Sequence, residues 1–564
     1  MTTTDTTSGA AGPATPPIAH LADFPEGTMK MVKVDGHRVC LVHTSDGVHA
    51  IDHACPHEGY GLTQGDLQGD LVTCEWHNWK FRVTDGACVL GEEDVRVHEC
   101  EIGEDGAIRV RLHEPSPNEL RPQLLASLRR GIAKDYMGQV SRDVVRLLQA
   151  DANPGELIWE AVAHGAPRAE FGWGHSIASA TDCLAMIDLF AGDQRALPIV
   201  QGISGVAEVE RDRPVNPLPD PAPAGESTAA AFRAAVEAEE LERAQSLILG
   251  AIERGDPPAA LRPWFTAVVS DHHLSYGHGA IYAQKAFELL DMIGHDRAAT
   301  VLPYLVPSNV YGTREDKLPY MRPFMKSLAE FDLAALARID SDPSWRDDGT
   351  MLDAVLGHDK RAPVTATVEA LRGGAGVDGV LDVVVHAVSE RMLRYDTDTE
   401  SDLLDDFGWL DITHGLTYAH AARWHHRQAM ESESGPTPDL IRLALFTVFL
   451  AHWTGRHEWH TTVGPSADVE RPTGIGSGDL TGADLIAYAE ALQQASLADG
   501  ATAFIVLAHD VKMSRAAALE APRVGSPLSL DATARYMTAP RQERRVRATV
   551  ARSIDFVNGK VRRD

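Results

Sequence analysis

Two short segments, Cys55-Pro56-His57 and Cys74-Glu75-Trp76-His77, constrain this chain more than any other feature of its 564 residues. Sixteen residues lie between them, and each segment offers one thiolate and one imidazole from a single loop. A [2Fe–2S] cluster with two Cys on one iron and two His on the other needs that division of ligands. Neutral imidazoles in place of two thiolates make such a cluster less negative and raise its potential to roughly −150 to +300 mV. Zinc knuckles, in contrast, pair their cysteines as C-x2–4-C and do not alternate Cys with His. Cys55, His57, Cys74 and His77 are therefore expected as cluster ligands.

The surrounding sequence reads as strand. MVKV, VCLVHT, VHAID, LVTCEW and IRVRL are short β-rich runs, separated by turn signals at Asp35-Gly36, Asp46-Gly47, Asp85-Gly86 and Asp105-Gly106. This density of strands and turns predicts a small all-β sandwich. With the ligand spacing and the second-loop sequence CEWHNWKFRVTDG, residues 18–112 resemble the Rieske ferredoxin family, whose usual pattern there is CxWHG-x-x-F. Asn78 stands where that family usually has Gly. Neither ligand loop holds a further cysteine, so the resemblance is to the ferredoxin and oxygenase branch and not to the respiratory-complex branch. Cys40, Cys88 and Cys100 are expected to be reduced, buried strand residues.

Outside this region the texture changes. Residues 1–17 (MTTTDTTSGAAGPATPP) have neither a basic residue nor an apolar core, and read as a disordered leader and not a secretory signal. Residues 113–122 (HEPSPNELRP) read as a linker. From 123 to 564 the chain is Ala-, Leu- and Glu-rich with apolar residues at helical spacing, as in STAAAFRAAVEAEELERAQSLILGAIERG, where Ser227 or Thr228 is placed to cap a helix and Gly255 to stop it. The Pro-rich run 213–225 is expected as an exposed loop. The expected fold class is multidomain α+β, a small all-β Rieske sandwich followed by a large, mostly α-helical domain. A hydrophobic content of 44% suits globular folding, and a net charge of −29 argues against nucleic acid or an anionic membrane surface as a partner. The longest apolar run, Leu440 to Trp453, is interrupted by Arg442 and His452 and is too short to span a bilayer. Six cysteines make no disulfide scaffold, which points to a reducing, cytoplasmic location.

A Rieske cluster moves single electrons and makes no bonds by itself, so the remaining chain is expected to hold an acceptor. Sixteen of the 25 histidines lie between His164 and His509, in clumps: His164 and His175; His272, His273 and His278; His414, His420, His425 and His426; His452, His457 and His460. Helical residues three, four or eleven apart share a face, while those five or six apart do not. By this rule His414 and His425 face one interior and His457 and His460 form a pair. His273 and His278, or His414 and His420, need a helix end or ligation from two sides of one cavity. A helical bundle projecting such side chains inward holds one or two irons. The candidate ligands of a second metal are His164, His175, His272, His273, His278, Asp411, His414 and His420. The candidate catalytic residues are His273, His278, His414, His420 and Tyr276.

Two patterns bear on the chemistry. Asp411-x2-His414-x5-His420 fits the spacing of the two-His-one-carboxylate iron site of ring-hydroxylating Rieske oxygenases, although it lies more than 330 residues after His77. THGLTYAHAARW and the His/Gly/Tyr-rich stretches before it are similar to questin oxidase-like proteins, helical enzymes of polyketide metabolism. Those enzymes are associated with oxidative ring opening of quinones, and the resemblance implies an oxygenase without fixing its substrate. Gly374-x-Gly376-x-x-Gly379 follows a helical stretch and reads as a loop, not a dinucleotide fingerprint, and His386 with Glu390 reads as a pair on one helix face.

The expected function is that of a metal-dependent oxidoreductase, a monooxygenase or dioxygenase. Electrons are expected from an external NAD(P)H-dependent reductase or ferredoxin, through the Rieske cluster, to a His-coordinated non-heme iron. That iron would activate O2 to oxidise a small aromatic or polyketide-like substrate, with homo-oligomerisation left open. The alternatives are a conventional Rieske ring hydroxylase built on Asp411, His414 and His420, and a non-catalytic electron-transfer protein whose rear histidines are structural.

Overall fold

The computed structural model describes residues 16–113, 116–401, 407–432, 435–460, 466–472, 474–476, 478, 480–500, 503–541 and 546–560. The leader expected at 1–17 lies outside these residues apart from Pro16 and Pro17. The chain divides into two units, Met1–Asp151 and Ala152–Asp564.

The first unit carries ten strands: β1 (Ala19–His20), β2 (Thr28–Val34), β3 (His37–Thr44), β4 (Gly47–Asp52), β5 (Asp66–Gln68), β6 (Leu71–Thr73), β7 (Lys80–Arg82), β8 (Cys88–Leu90), β9 (Val97–Ile102) and β10 (Ala107–Arg111). They form two antiparallel sheets, ordered β1-β10-β9-β4-β3-β2 and β5-β6-β7-β8. The Asp35-Gly36 turn joins β2 to β3 with both residues at positive φ, 47° and 86°, as a two-residue hairpin of the I′ kind requires. Strand β3 is buried on both faces. Val39 and Leu41 point into a core with Phe24, Val32, Ile108 and Val110, while Cys40 and Val42 point into a second core with Ile51, Leu62, Val72 and Phe81. The small sheet is an insertion between β4 and β9, and the second core seats it against the large one.

The stretch expected as a linker, 113–122, is partly helical. Ser116 and Glu119 form a capping box, the Ser116 N–H donating to Glu119 Oε2 at 3.0 Å, and start helix α1 (Pro117–Lys134). Helix α1 leads into α2 (Met137–Gln149), and both belong to the first unit. Arg146 of α2 reaches Glu93 in the loop before β9 at 2.6 Å, with Arg142 on the other carboxylate oxygen, so α2 is tied to the sandwich. Both helices thus fall with the sandwich in the unit that ends at Asp151.

The second unit is helical throughout its described residues, with short 3-10 turns and loops between helices. The run from Ser227 to Gly255 forms two helices, Ala229–Glu237 and Leu241–Glu253, where the sequence suggested one. Glu239 takes a left-handed φ of 59° between them, and the chain folds back so that Phe232, Val236, Leu247 and Ile248 are all buried. Thr228 caps the first helix by accepting from the Ala231 N–H at 3.2 Å. Residues 213–223 carry no regular element, matching their proline content. Among the described residues no helix is long and apolar enough to cross a membrane.

Candidate functional site

The first ligand loop leaves β4 and turns at once. The Gly59 N–H donates to the Cys55 carbonyl and the Cys55 N–H to the Tyr60 carbonyl, both at 2.8 Å. The second loop turns between β6 and β7, with the Asn78 N–H donating to the Cys74 carbonyl at 3.0 Å and the Cys74 N–H to Trp79 at 2.8 Å. Both sulfurs are held inward, Cys55 and Cys74 being each 2% exposed. The imidazoles lie outward, His57 half-buried and His77 exposed, with their Nδ1 atoms 2.8 Å apart and their rings nearly perpendicular. His57 stacks on Trp79, and the exposed Trp76 stacks on Tyr60.

Burial pushes the Cys55 thiol up to about 12, and the adjacent Cys74 sulfur adds to the shift. Buried sulfurs of this kind ionise only beside strong positive charge, which iron bonded to them would supply. Two adjoining inward sulfurs and two Nδ1 atoms 2.8 Å apart, one of each from either loop, fit the ligand set of a mixed Cys2His2 [2Fe–2S] cluster. Asn78 explains its own departure from the family's Gly. Its φ is 61°, in the left-handed region that glycine enters freely and asparagine more readily than other residues.

A second cluster of imidazoles lies in the helical unit. Four helices pack in a ring: the His175 helix (His175–Ala185), the His278 helix (His278–Ile293), the His414 helix (Trp409–Glu431) and the His509 helix (Phe504–Val524). All four run in the same direction. His175 meets His278 at 3.2 Å, and seven residues further along each helix Asp182 meets Lys285 at 2.8 Å. His414 meets His509 at 3.4 Å, and further on His420 meets Glu520 at 2.8 Å. His278 meets His414, and Phe287 later stacks on Trp424. The four histidines thus occupy the first or second turns of four parallel helices.

Their Nε2 atoms converge. His278 Nε2 lies 3.2 Å from His175 Nε2 and 2.9 Å from His414 Nε2, and His509 Nε2 lies 3.4 Å from His414 Nε2. Ligand atoms of His175, His414 and His509 all fall within 4.8 Å of one another. The other ring nitrogens are committed outward. His414 Nδ1 bonds the Leu410 carbonyl, His509 Nδ1 bonds the Ile505 carbonyl at 2.7 Å, and His175 Nδ1 bonds the Tyr282 hydroxyl at 3.1 Å. A proton on Nδ1 of His414 and His509 leaves each Nε2 lone pair facing the centre, as in metal sites where the far nitrogen fixes the tautomer.

Burial holds all four imidazoles neutral, His414 at about 3 and His175, His278 and His509 well below the ordinary histidine value. Lys512, one turn after His509, adds to each of these shifts. Lys512 is 2% exposed, and burial lowers its own ammonium to about 7.

The other expected site residues are placed elsewhere. Tyr276 adjoins the cluster, its ring 6.1 Å from that of His414, and burial with the nearby Asp411 pushes its phenol up to about 12. It takes a left-handed φ of 56° just before the His278 helix, and the Gly277 after it has no room for a Cβ against the Tyr418 ring. His273 is fully buried among Tyr418, Phe446 and Phe449. His272 bridges Asp316 and Glu237 at 2.9 and 2.6 Å. His164 lies in the last turn of the Pro154–Gly165 helix, which is not one of the four that form the ring, with a buried Nε2 that no hydrogen bond reaches.

Asp411, His414 and His420 are not brought to one point. Six residues apart on one continuous helix, His414 and His420 do not share a face, and His420 bonds Glu520. Asp411 is turned back to accept the Gly408 N–H at 2.9 Å and caps the helix. His425 shares the His414 face but bonds Thr266 and the Ala280 carbonyl. His457 stacks on Phe407, and the side chain of His460 lies outside the described residues. His386 and Glu390 form a 3.0 Å pair, 43% and 31% exposed. His509 is the ligand candidate that clumping missed, because it stands alone in its stretch of sequence. The signal available was its place on the apolar face of the VLAHDVKM helix, where Lys512 also lies.

A small two-sheet scaffold with one Cys and one His on each of two loops defines a mixed-ligand iron–sulfur protein. Residues 14–101 match the family model described as the Rieske [2Fe–2S] domain. The chain belongs to that family through this segment. It is 30% identical over 86 residues to the ferredoxin component of the naphthalene 1,2-dioxygenase/salicylate 5-hydroxylase systems of a Ralstonia species, covering 15% of this chain and 83% of that protein. It is 35% identical over 69 residues to apoptosis-inducing factor 3 of Mus musculus, covering 12% of this chain and 11% of the relative. It is 36% identical over 67 residues to cholesterol 7-desaturase nvd of Xenopus laevis, covering 12% and 15%. The chain thus spans only about a tenth to a sixth of the two longer relatives, and these three matches concern the Rieske domain alone.

Proposed function

We propose that this protein is a Rieske-dependent oxygenase, in which a non-heme iron held by His175, His278, His414 and His509 activates O2 to oxidise a small aromatic or polyketide-like molecule. The Rieske cluster supplies that centre with single electrons, drawn from a separate NAD(P)H-dependent reductase or ferredoxin in the cytoplasm. The observation that carries the reading is the convergence of four neutral Nε2 atoms, drawn from four separate helices, in a chain that also holds a Rieske domain.

The residues each have a defined task. Leu410 and Ile505 accept from the imidazoles of His414 and His509 and hold their rings in place, while Tyr282 does so for His175. An all-imidazole set carries no charge, so it leaves a bound metal cationic and able to take further ligands. Tyr276, kept protonated by burial and bonded to Asp411, packs beside His414 and walls the centre. Relatives named for a dioxygenase ferredoxin and a desaturase support electron delivery to oxygen chemistry as the use of the Rieske domain.

Metal analysis of anaerobically purified protein tests the reading. Iron above the two atoms of one cluster, with reductase-driven O2 uptake, is expected. Cluster iron alone and no O2 uptake would instead make the protein an electron carrier with structural rear histidines.

A further inference from the structure

The histidine centre is bordered by a buried lysine whose amine is left unbonded. Lys512 Nζ is buried and has no hydrogen-bond partner among the described residues. It projects from the His509 helix one turn beyond His509, and its charge bears on all four imidazoles. The carboxylate that attracts it, Asp182, is already engaged by Lys285 at 2.8 Å, and Lys285 in turn holds Glu288 at 2.9 Å.

The backbone adds to the same sign. Two of the four parallel helices, those of His175 and His278, begin at this centre and turn the positive ends of their dipoles towards it. They start after Gly174 and Gly277, which have no side chain to cap the first N–H groups. A buried ammonium without an acceptor is costly, and a site of this polarity is stabilised by an anion.

We infer that Lys512 anchors an organic oxyanion, an ionised phenol or carboxylic acid, and that the substrate of the histidine centre is therefore an acid. The inference rests on the proposed function in placing a substrate at this centre, and it deepens that reading by naming the substrate's charge. Lys512 is a binding residue in it, and the imidazoles keep their role as ligands.

The test uses the full-length protein, as purified without added metal and after loading with Co(II), and measures binding by calorimetry. The probes are benzoate, the neutral benzamide of similar shape, and azide as a small inorganic anion. The wild type is expected to bind benzoate at least about tenfold more tightly than benzamide. Lys512→Met, of similar length and without charge, is expected to lose about tenfold or more for benzoate and to leave benzamide unchanged. Lys512→Arg is expected to retain most of the benzoate affinity.

Equal affinity of the wild type for benzoate and benzamide would overturn the inference. So would no binding of benzoate in either form, unchanged benzoate binding in Lys512→Met, or binding of azide with exclusion of benzoate. The wild-type comparison decides the matter even where Lys512→Met melts early. Co(II) uptake on the same samples keeps the two readings apart: failure of the wild type to take up Co(II) counts against the metal, while the benzoate arm still decides Lys512.

Discussion

His414 Nε2 stands 2.9 Å from His278 Nε2, although 136 residues of chain separate them. The contact places His414 at the meeting point of the ring, since it also touches His509. Substituting His414→Ala is therefore expected to strip the helical unit of its metal while the visible spectrum of the Rieske cluster stays intact. Iron per chain, measured beside that spectrum, checks this. Undiminished iron would remove His414 from the ligand set.

Asp411 and His420 are expected to behave differently from His414. Asp411→Ala removes a helix cap and should cost about 1 kcal/mol of stability. His420→Ala removes a partner from the buried Glu520, whose carboxyl is held down at about 2 by His420 and Arg423 against the opposing effect of burial, and should cost about 1–3 kcal/mol. Urea denaturation gives the stabilities, and metal analysis should find the helical-unit iron retained in both variants.

Cys74→Ser should abolish the cluster's absorption and leave the helical-unit iron in place. Reductase-driven O2 uptake should be lost with it. Full turnover by this variant would refute the electron relay.

At position 78 the left-handed backbone sets the order of preference. Asn78→Gly should be neutral or stabilising by about 0.5 kcal/mol, whereas Asn78→Val should cost about 1–2 kcal/mol and weaken cluster retention. Thermal melts of the cluster-loaded protein with absorption at the cluster bands measure both effects.

Buried neutral histidines give the helical unit a defined response to acid. Burial holds His273 at about 3 and His425 at about 4, below the ordinary value of about 6.5 that they regain on unfolding. Between those limits the unfolded chain binds more protons than the folded one, so stability falls as pH drops from about 6.5 towards 3–4. His273→Phe, which fits the aromatic walls and removes the ionisable ring, should flatten part of this slope and help more at pH 5.5 than at pH 8. Urea midpoints at those two pH values test it.

The β module was readable because its signals are local. Ligand spacing, Asp-Gly turns and strand alternation each act within a few residues, and the two sheets with β3 buried on both faces follow from them. The capping box at Ser116 and Glu119 was equally local, but the prolines around it suggested a linker, and α1 begins there. The helical site was harder to read. Clumping drew attention to His272 and His273, which satisfy a carboxylate pair and an aromatic pocket, and passed over the solitary His509. Ligands contributed once per helix leave no spacing to recognise, because the distance between them along the chain is set by the connecting segments.

Four helices that all point the same way oblige the chain to travel back to the starting end three times. Those journeys occupy residues 186–277, 294–408 and 432–503, and none of the four converging imidazoles belongs to them. Changes of length or composition in these return passages can therefore reshape the surroundings of the centre while its pins keep their register, a division of labour that would let one ring of imidazoles serve different guests.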